Sequence, residues 1–393
     1  MERTRYYPGL SAAVALIVLI AVCALVIVFL RLRPNATVYP VSDAAVERER
    51  NGAGSAHTAL PEHVKGIYLT TASVNGNKYQ EMLALADRTE INALVVDMKD
   101  DNGAPGFRIA HPDYADLSRD KPTIPDLAAV AADAHAHGLY MIARLPVFQD
   151  SWFADRHPEF AMHTRGGGPF DSAQGRLWRD RRGIRWLDPA AQGVWQYNAA
   201  LAEEAYAAGF DEVQLDYIRF ASDGDISTIV FPVWDNVEPK PKVMERFFAF
   251  MSERLRGQEI PLSVDLFGYT FRVDDGYDLG IGQRLALTLP YVDFVSPMVY
   301  PSHYPSGHLG LANPAASPGI VVDDALADGQ TIIDEVRPDF RGVRPWLQDF
   351  DMGADYTASM VRQQIDAAEK RGAEGWLLWN ARNVFTEDAL KKE

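Results

Sequence analysis

The strongest constraint on the fold is a repeated alternation of short apolar segments with longer segments of helical pattern. It begins at Val64 to Leu69 and ends at Gly375 to Trp379. Strands that alternate with helices predict a parallel sheet covered by helices. We count eight strand-like segments, which favours a (β/α)8 TIM barrel, an α/β fold, over an open doubly wound sheet.

The residues at the ends of the helical segments support this prediction. Three of the helical segments end at Gly138, Gly209 and Gly372, each shortly before the next apolar segment. Glycine in that position is typical of helix C-termini. No glycine-rich fingerprint follows the first predicted strand, which argues against dinucleotide binding.

The N-terminus has a different composition. Residues 10–30 are apolar except for Ser11, and 21 residues form a helix about 31 Å long, enough to cross a bilayer once. No small-residue cleavage site follows, so we expect an uncleaved signal anchor. The predicted organisation is a cytoplasmic tail (1–9), a transmembrane anchor (10–30), a linker (31–60) and a barrel (61–393). The expected location is the cell membrane, with the barrel in the periplasm or at the cell surface.

Charge and residue types exclude several functions. The chain has a formal net charge of −16, and an acidic body repels nucleic acid. Cys23 is the one cysteine, and His-Glu-x-x-His does not occur. His135 and His137 are spaced as His-x-His, but they lie on a predicted helix ahead of Gly138, at the end of the barrel opposite the predicted site. We therefore expect no metal and no cofactor, and metal-dependent deacetylation or hydrolysis is the weakest candidate function. No feature indicates an obligate protein partner.

Polar residues collect where the predicted strands end. Because the active site of a TIM barrel lies at the C-terminal ends of its strands, these residues are the candidate site. Several carboxylates with Trp and Tyr beside them suit a carbohydrate, since carboxylates act as acid, base or nucleophile at an acetal carbon. In strand order the candidates are Asp97, Lys99 and Asp100; Arg144; Asp216 and Arg219; Asp265 and Tyr269; Tyr300; Gln348 and Asp349; Trp379 and Asn380.

Structural roles are open for several of these residues. Asp97 and Asp100 could cap loops or pair with Lys99. Arg144 could neutralise carboxylates at the barrel mouth, or tune them. Asp216 could be a buried carboxylate that pairs with an arginine.

Five sequence motifs carry a resemblance to a known family. They are Val95–Gly103, Trp186–Pro189, Asp211–Phe220, Ser296–Tyr300 and Arg344–Gln348. In this order they resemble a bacterial glycosyl hydrolase domain family, a TIM-barrel family of unassigned function related to the α-amylase-like barrels. The resemblance covers roughly residues 64–385. It implies the barrel fold and, through its relatives, glycosidase chemistry.

Residue roles follow from a comparison with the α-amylase family. There the fourth strand ends in the nucleophilic Asp, with an Arg two residues earlier. Asp216 falls on that Asp, and Gln214 stands where the Arg would be. The resemblance implies that Asp265 is the general acid/base and that Asp349 matches the transition-state Asp.

The predicted function is a membrane-anchored extracytoplasmic glycoside hydrolase that acts on a polysaccharide or oligosaccharide by a two-carboxylate mechanism. Its expected partners are the carbohydrate substrate and the membrane. The alternative is a glycan-binding protein without catalysis on the same scaffold. The distance between Asp216 and Asp265, and whether either is locked in an ion pair, would separate the two.

Overall fold

The computed structural model describes residues 57–165, 177–273 and 276–392. The predicted cytoplasmic tail, the membrane anchor and the linker up to residue 56 lie outside these ranges. None of the helices in the described ranges combines the length and apolarity that a membrane crossing requires.

Eight parallel strands form a closed barrel, which confirms the predicted fold. Each strand pairs with its neighbours in chain order, and β1 pairs with β8 to close the ring. The strands are β1 (Val64–Leu69), β2 (Ala93–Asp97), β3 (Tyr140–Pro146), β4 (Glu212–Asp216), β5 (Leu262–Phe267), β6 (Phe294–Met298), β7 (Trp346–Gln348) and β8 (Gly375–Trp379).

Helices connect the strands and cover the outside of the barrel. Their apolar faces pack on the outward side chains of the strands, in one large core. They are α1 (Asn77–Ala86), α2 (Leu127–Ala136), α3 (Ser151–Arg156), α4 (Gln192–Ala207), α5 (Lys240–Arg256), α6 (Leu285–Thr288), α7 (Pro318–Val336) and α8 (Ala358–Lys370).

Closure of the barrel depends on the absence of a side chain at Gly375. Its φ angle is +142°, and a Cβ atom there would lie 1.9 Å from the carbonyl oxygen of Val64. Val64 is its register partner on β1. Only glycine can therefore occupy the first position of β8.

The barrel interior is polar as well as aromatic. Near its lower end, the buried Arg344 donates from Nη2 to Oε1 of Glu212, and both side chains are 0% exposed. The hydroxyl of Tyr140 donates to the other oxygen of Glu212 at 3.3 Å. This layer supports the polar groups nearer the mouth.

Some helix boundaries differ from the prediction. The pair Asp188-Pro189 has the pattern of a helix N-cap followed by a first-turn proline, but α4 begins at Gln192. The Asp188 carboxylate instead accepts hydrogen bonds from the backbone N–H groups of Val233 and Trp234, both at 2.8 Å. It fastens the loop after β4 to the start of α4. Residues 279–289, whose pattern predicts a short helix, form α6 only over Leu285–Thr288. Residues 386–392, where the sequence predicts a short last helix or none, contain a single 3-10 turn at Glu387–Ala389.

Candidate active site

One arginine joins carboxylates from three strands at the mouth of the barrel. Arg144, on β3, donates from Nη1 to Asp97 on β2 and from Nη2 to Asp216 on β4. Its Nε lies 3.4 Å from Oδ2 of Asp265 on β5. All four side chains are buried, with at most 8% exposed. We call Arg144, Asp97, Asp216 and Asp265 the carboxylate cluster.

The register of the strands explains this convergence. Asp97 pairs with Arg144, and Arg144 pairs with Gln214. Because alternate residues of a strand face the same side, Gln214 and Asp216 both face inward. The comparison with the α-amylase family places an arginine at position 214, and here the neighbouring strand supplies it as Arg144, directly beside Gln214. Gln214 itself donates to Oγ of Ser296 at 3.1 Å.

The three carboxyl groups have different environments. Burial, followed by the negative charge of Asp216, raises the pKa of Asp265 well above its usual range. Burial also raises the pKa of Asp97 to about 6, although Arg144 and a hydrogen bond from Tyr68 oppose the shift. The cluster therefore contains carboxyl groups that retain a proton more readily than an ordinary aspartate.

Backbone geometry and an indole fix the orientation of two of these groups. The N–H of Tyr217 donates to Oδ1 of Asp216 at 2.5 Å, and Tyr217 has a φ angle of +51°. A left-handed conformation is strained for a tyrosine, and such strain often accompanies functional sites. The indole N–H of Trp346 donates to Oδ1 of Asp265 at 2.7 Å.

Aromatic rings surround the cluster. Tyr68 stacks on Trp379, with ring centroids 3.9 Å apart, and the Arg144 guanidinium lies 5.0 Å from the Trp379 ring. Burial, followed by the charges of Asp265 and Asp216, raises the pKa of Tyr300. The arrangement combines carboxylates with an aromatic wall, as the prediction of a carbohydrate site requires.

Several predicted site residues do not reach the cluster. Lys99 is 0% exposed and donates to Asp150 at 3.0 Å and to Asn198 at 2.8 Å, on the outside of the barrel. Asp100 accepts from backbone N–H groups of its own loop and from Arg119 at 2.7 Å. Both residues therefore hold the loop after β2.

Residues at and just after the ends of β7 and β8 form hydrogen bonds within their loops. The Asp349 carboxylate accepts from the N–H of Thr386 at 2.8 Å and from its hydroxyl at 2.7 Å. Asn380 donates to the Asp349 carbonyl at 2.5 Å, and Gln348 donates to the Phe350 carbonyl at 2.9 Å. These contacts brace the loops, and they give Asp349 no contact with the carboxylate cluster.

Two further candidates lie beside the mouth. Tyr269 stacks on Tyr304, with centroids 4.9 Å apart, in the loops after β5 and β6. Arg219 lies beyond the end of β4, with its guanidinium over the ring of Trp186.

Sequence reasoning did not select Tyr68 and Trp346 as site residues. Their inward position follows from the alternation of side chains along β1 and β7. Both contact a carboxylate of the cluster directly.

An eight-stranded barrel with a carboxylate cluster at the C-terminal ends of its strands is the arrangement of a TIM-barrel hydrolase. Within the described ranges, no group of three or more His, Cys, Asp or Glu side chains has the geometry to hold a metal ion.

Comparison with known proteins places the chain in a family. Residues 66–385 match the family described as "Putative glycosyl hydrolase domain", and the chain belongs to that family. None of the curated proteins matches the sequence significantly.

Several solved structures are similar to this chain, and one with a TM-score above 0.5 shares its fold. A hypothetical protein from Ruminiclostridium thermocellum is 33% identical, over 51% of this chain and 96% of that one, with a TM-score of 0.44. Amy13B from Eubacterium rectale is 10% identical, with 83% and 67% covered and a TM-score of 0.51. The α-galactosidase from Lactobacillus brevis is 12% identical, with a TM-score of 0.49. The match covers 82% of this chain and only 38% of that enzyme.

Proposed function

We propose that the protein is a glycoside hydrolase that cleaves a polysaccharide or oligosaccharide with two carboxyl groups of the cluster. One observation carries the proposal: a single guanidinium holds three buried carboxyl groups, two of which have a raised pKa. Glycosidases need one ionised carboxylate beside one protonated carboxyl group, and the raised pKa values of Asp97 and Asp265 suit the protonated member of such a pair.

Asp216 is the proposed nucleophile. Its Oδ2 accepts from Arg144 and its Oδ1 accepts from the Tyr217 N–H, so the carboxylate is held in a fixed orientation at the end of β4. Its oxygen attacks the anomeric carbon, the bond from that carbon to the leaving oxygen breaks, and the proton donor protonates the leaving oxygen. Water then attacks the glycosyl ester, gives its proton to the same donor and releases Asp216.

Two carboxyl groups are candidates for the proton donor. The sequence assigns the role to Asp265, whose pKa is raised most strongly by burial. Asp97 has a pKa of about 6, and it retains 4% exposure whereas Asp265 has none. Because Asp97 is the more exposed of the two, we favour it as the group that donates a proton to the leaving oxygen. Asp265 then serves as one of the carboxyl partners of Arg144.

The leaving group of the substrate separates these roles. Loss of the proton donor lowers turnover of a natural glycan by about 100- to 10,000-fold. It spares an aryl glycoside whose leaving group needs no proton. Of Asp97→Asn and Asp265→Asn, the variant that lacks the proton donor should lose turnover of the natural glycan and keep turnover of the aryl glycoside. Asp216→Asn should lose turnover of both substrates. Undiminished turnover by Asp216→Asn would refute the nucleophile.

A second candidate function, glycan binding without catalysis, is favoured by one observation. Arg144 already contacts an oxygen of each of the three carboxylates. If this is the function, the protein binds glycans without releasing reducing ends, and Asp216→Asn binds as well as the wild type.

We also propose that residues 10–30 anchor the enzyme in the cell membrane with the barrel outside the cytoplasm. The apolar run with flanking arginines supports this proposal. Protease added to intact spheroplasts should digest the barrel, and protection of the barrel would contradict the proposed orientation.

A further inference from the structure

Arg219 differs from the other buried arginines in the described part of the chain. Arg144 holds three carboxylates and Arg344 holds Glu212. Arg219 is only 9% exposed, yet its Nη1 donates to two neutral groups, the Phe220 carbonyl at 3.3 Å and the Ser222 hydroxyl at 2.9 Å. Among the described residues, no carboxylate forms an ion pair with it.

A buried guanidinium without an anion is unfavourable in the free protein. Burial removes its hydration, and the pKa of Arg219 is accordingly lowered from its usual range. Contacts with the rings of Trp186 at 4.7 Å and Phe267 at 4.8 Å offset part of this cost. The rings also fix the guanidinium in place, as a binding site requires.

Two donor nitrogens of Arg219 remain available. Nε and Nη2 have no hydrogen-bond partner among the described residues, and neither is sealed from solvent. Together they form one edge of the planar guanidinium, the edge that binds carboxylate, sulfate or phosphate through two parallel hydrogen bonds.

A second cation lies near the same strand end. Arg179 and Arg185 pair across a tight turn that contains Arg182. The turn is fixed because Asp180 accepts from Gln149 at 3.1 Å and from the indole of Trp186 at 3.0 Å. Trp186 is the ring under Arg219, so one indole links the two cations.

Arg182 is exposed and only loosely paired, so its guanidinium can bind an anion. Its side chain is 58% exposed, and its contact with Asp101 is long, at 4.0 Å. The carboxylates of Asp216, Asp223 and Asp180 act on Arg219 only from a distance. Arg219, which follows β4, and Arg182, in the long loop after β3, thus form a cationic edge on a protein with a net negative charge.

We propose that Arg219 binds an acidic group of the glycan, so that the substrate is an anionic polysaccharide. Arg182 assists from the rim. The inference rests on the proposed function in that it places the acidic sugar next to the glycosidic bond that Asp216 would attack. Arg219 lies three positions after Asp216 in the chain.

Matched pairs of polymers test the inference with the full chain in detergent. Polygalacturonate and hyaluronan are each compared with their carboxyl-reduced forms, dextran sulfate with dextran, and phosphomannan with mannan. Dissociation constants and release of reducing ends are both measured. The wild type should bind the acidic member of one pair about 10- to 100-fold more tightly, because hydrogen bonds to charged groups are of that strength.

Three variants identify the residues responsible. Arg219→Gln should abolish the preference for the acidic polymer over its neutral partner. Arg182→Gln removes an exposed side chain and should reduce the preference about 2- to 5-fold. Arg256→Gln, at the end of α5 and away from the mouth, removes the same charge and should retain the full preference. If Arg219→Gln fails to fold, two other measurements test the inference. Arg182→Gln should reduce the acidic preference, and the preference of the wild type should fall as the salt concentration rises.

The outcomes separate this inference from the proposed hydrolysis. Acidic polymers that bind through Arg219 without cleavage would refute hydrolysis and support the inference. Cleavage of neutral and acidic polymers with equal efficiency would refute the inference and support hydrolysis. Absence of an acidic preference in all four pairs, or a preference that survives in both arginine variants, would also overturn the inference. The pair that shows the preference identifies the acidic group as carboxylate, sulfate or phosphate.

Discussion

Replacement of Arg144 by Met tests how the carboxylate cluster is held together. The change removes the one cation that contacts Asp97, Asp216 and Asp265, and it keeps a side chain of similar length. Loss of one partner from a buried ion pair costs about 3–5 kcal/mol, because a charge is left without compensation. Since a domain has only about 5–15 kcal/mol of stability, Arg144→Met should be severely destabilised at neutral pH.

The destabilisation should decrease in acid. A carboxyl group whose folded-state pKa is raised destabilises the fold above that pKa, and the cost disappears as the group is protonated. For Asp97, a pKa of about 6 against 3.8 already corresponds to about 3 kcal/mol. Arg144 lowers the pKa values of Asp97 and Asp265, so both values should rise further when it is removed. The difference in unfolding free energy between variant and wild type should therefore shrink as the pH falls from 7.5 toward 4.5.

Urea unfolding at pH 7.5, 6 and 4.5 measures this difference. The matched control is Arg371→Met, which removes an exposed arginine paired with Asp323. A surface pair contributes about 1 kcal/mol or less, so the control should change little at any of the three pH values. A loss below about 1 kcal/mol for Arg144→Met at pH 7.5, or a loss that is independent of pH, would refute the electrostatic account of the cluster.

Three further substitutions have distinct expected results. Trp346→Phe removes a hydrogen bond that favours ionised Asp265, so the pKa of Asp265 should rise. The alkaline limb of the activity profile should move to higher pH with it if Asp265 is the proton donor, and it should stay in place if Asp97 is. An unchanged limb would show that Asp265 does not control it. Lys99→Met leaves a buried carboxylate unpaired and should cost about 3–5 kcal/mol of stability, with kcat per folded molecule retained. Urea unfolding and active-site titration measure the two effects. Asp349→Asn weakens the contacts to Thr386 and should lower stability by about 1–2 kcal/mol without a loss of kcat. A large loss of kcat would restore Asp349 to the catalytic group.

The sequence predicts the barrel well because its signals are local. Alternation of apolar segments, glycines at helix ends and polar residues at strand ends each act over a few residues. They place Asp97, Arg144, Asp216 and Asp265 at one end of one barrel, where the structure has them. The role of Arg144 could not be predicted in this way. Arg144 takes the place of the arginine that is missing before Asp216, and this depends on the register between two strands, which no single segment of sequence reveals.

The predictions that do not reach the site involve residues just beyond the strands. Side chains alternate between inside and outside only while the chain remains extended. Lys99 follows the end of β2 by two residues and turns outward to Asp150, and Asp349 follows the end of β7 and turns to Thr386. Loop geometry decided both orientations. Sequence patterns describe that geometry poorly.

The measurement that tests the central claim most directly is release of reducing ends from cell-wall and capsular polysaccharides by the wild type and by Asp216→Asn. The product anomer is read by NMR. The account predicts that the wild type releases oligosaccharides with retained configuration and that Asp216→Asn is slower by about 1,000-fold or more. Equal rates for the two proteins, or inversion of the anomeric configuration, would contradict Asp216 as the nucleophile.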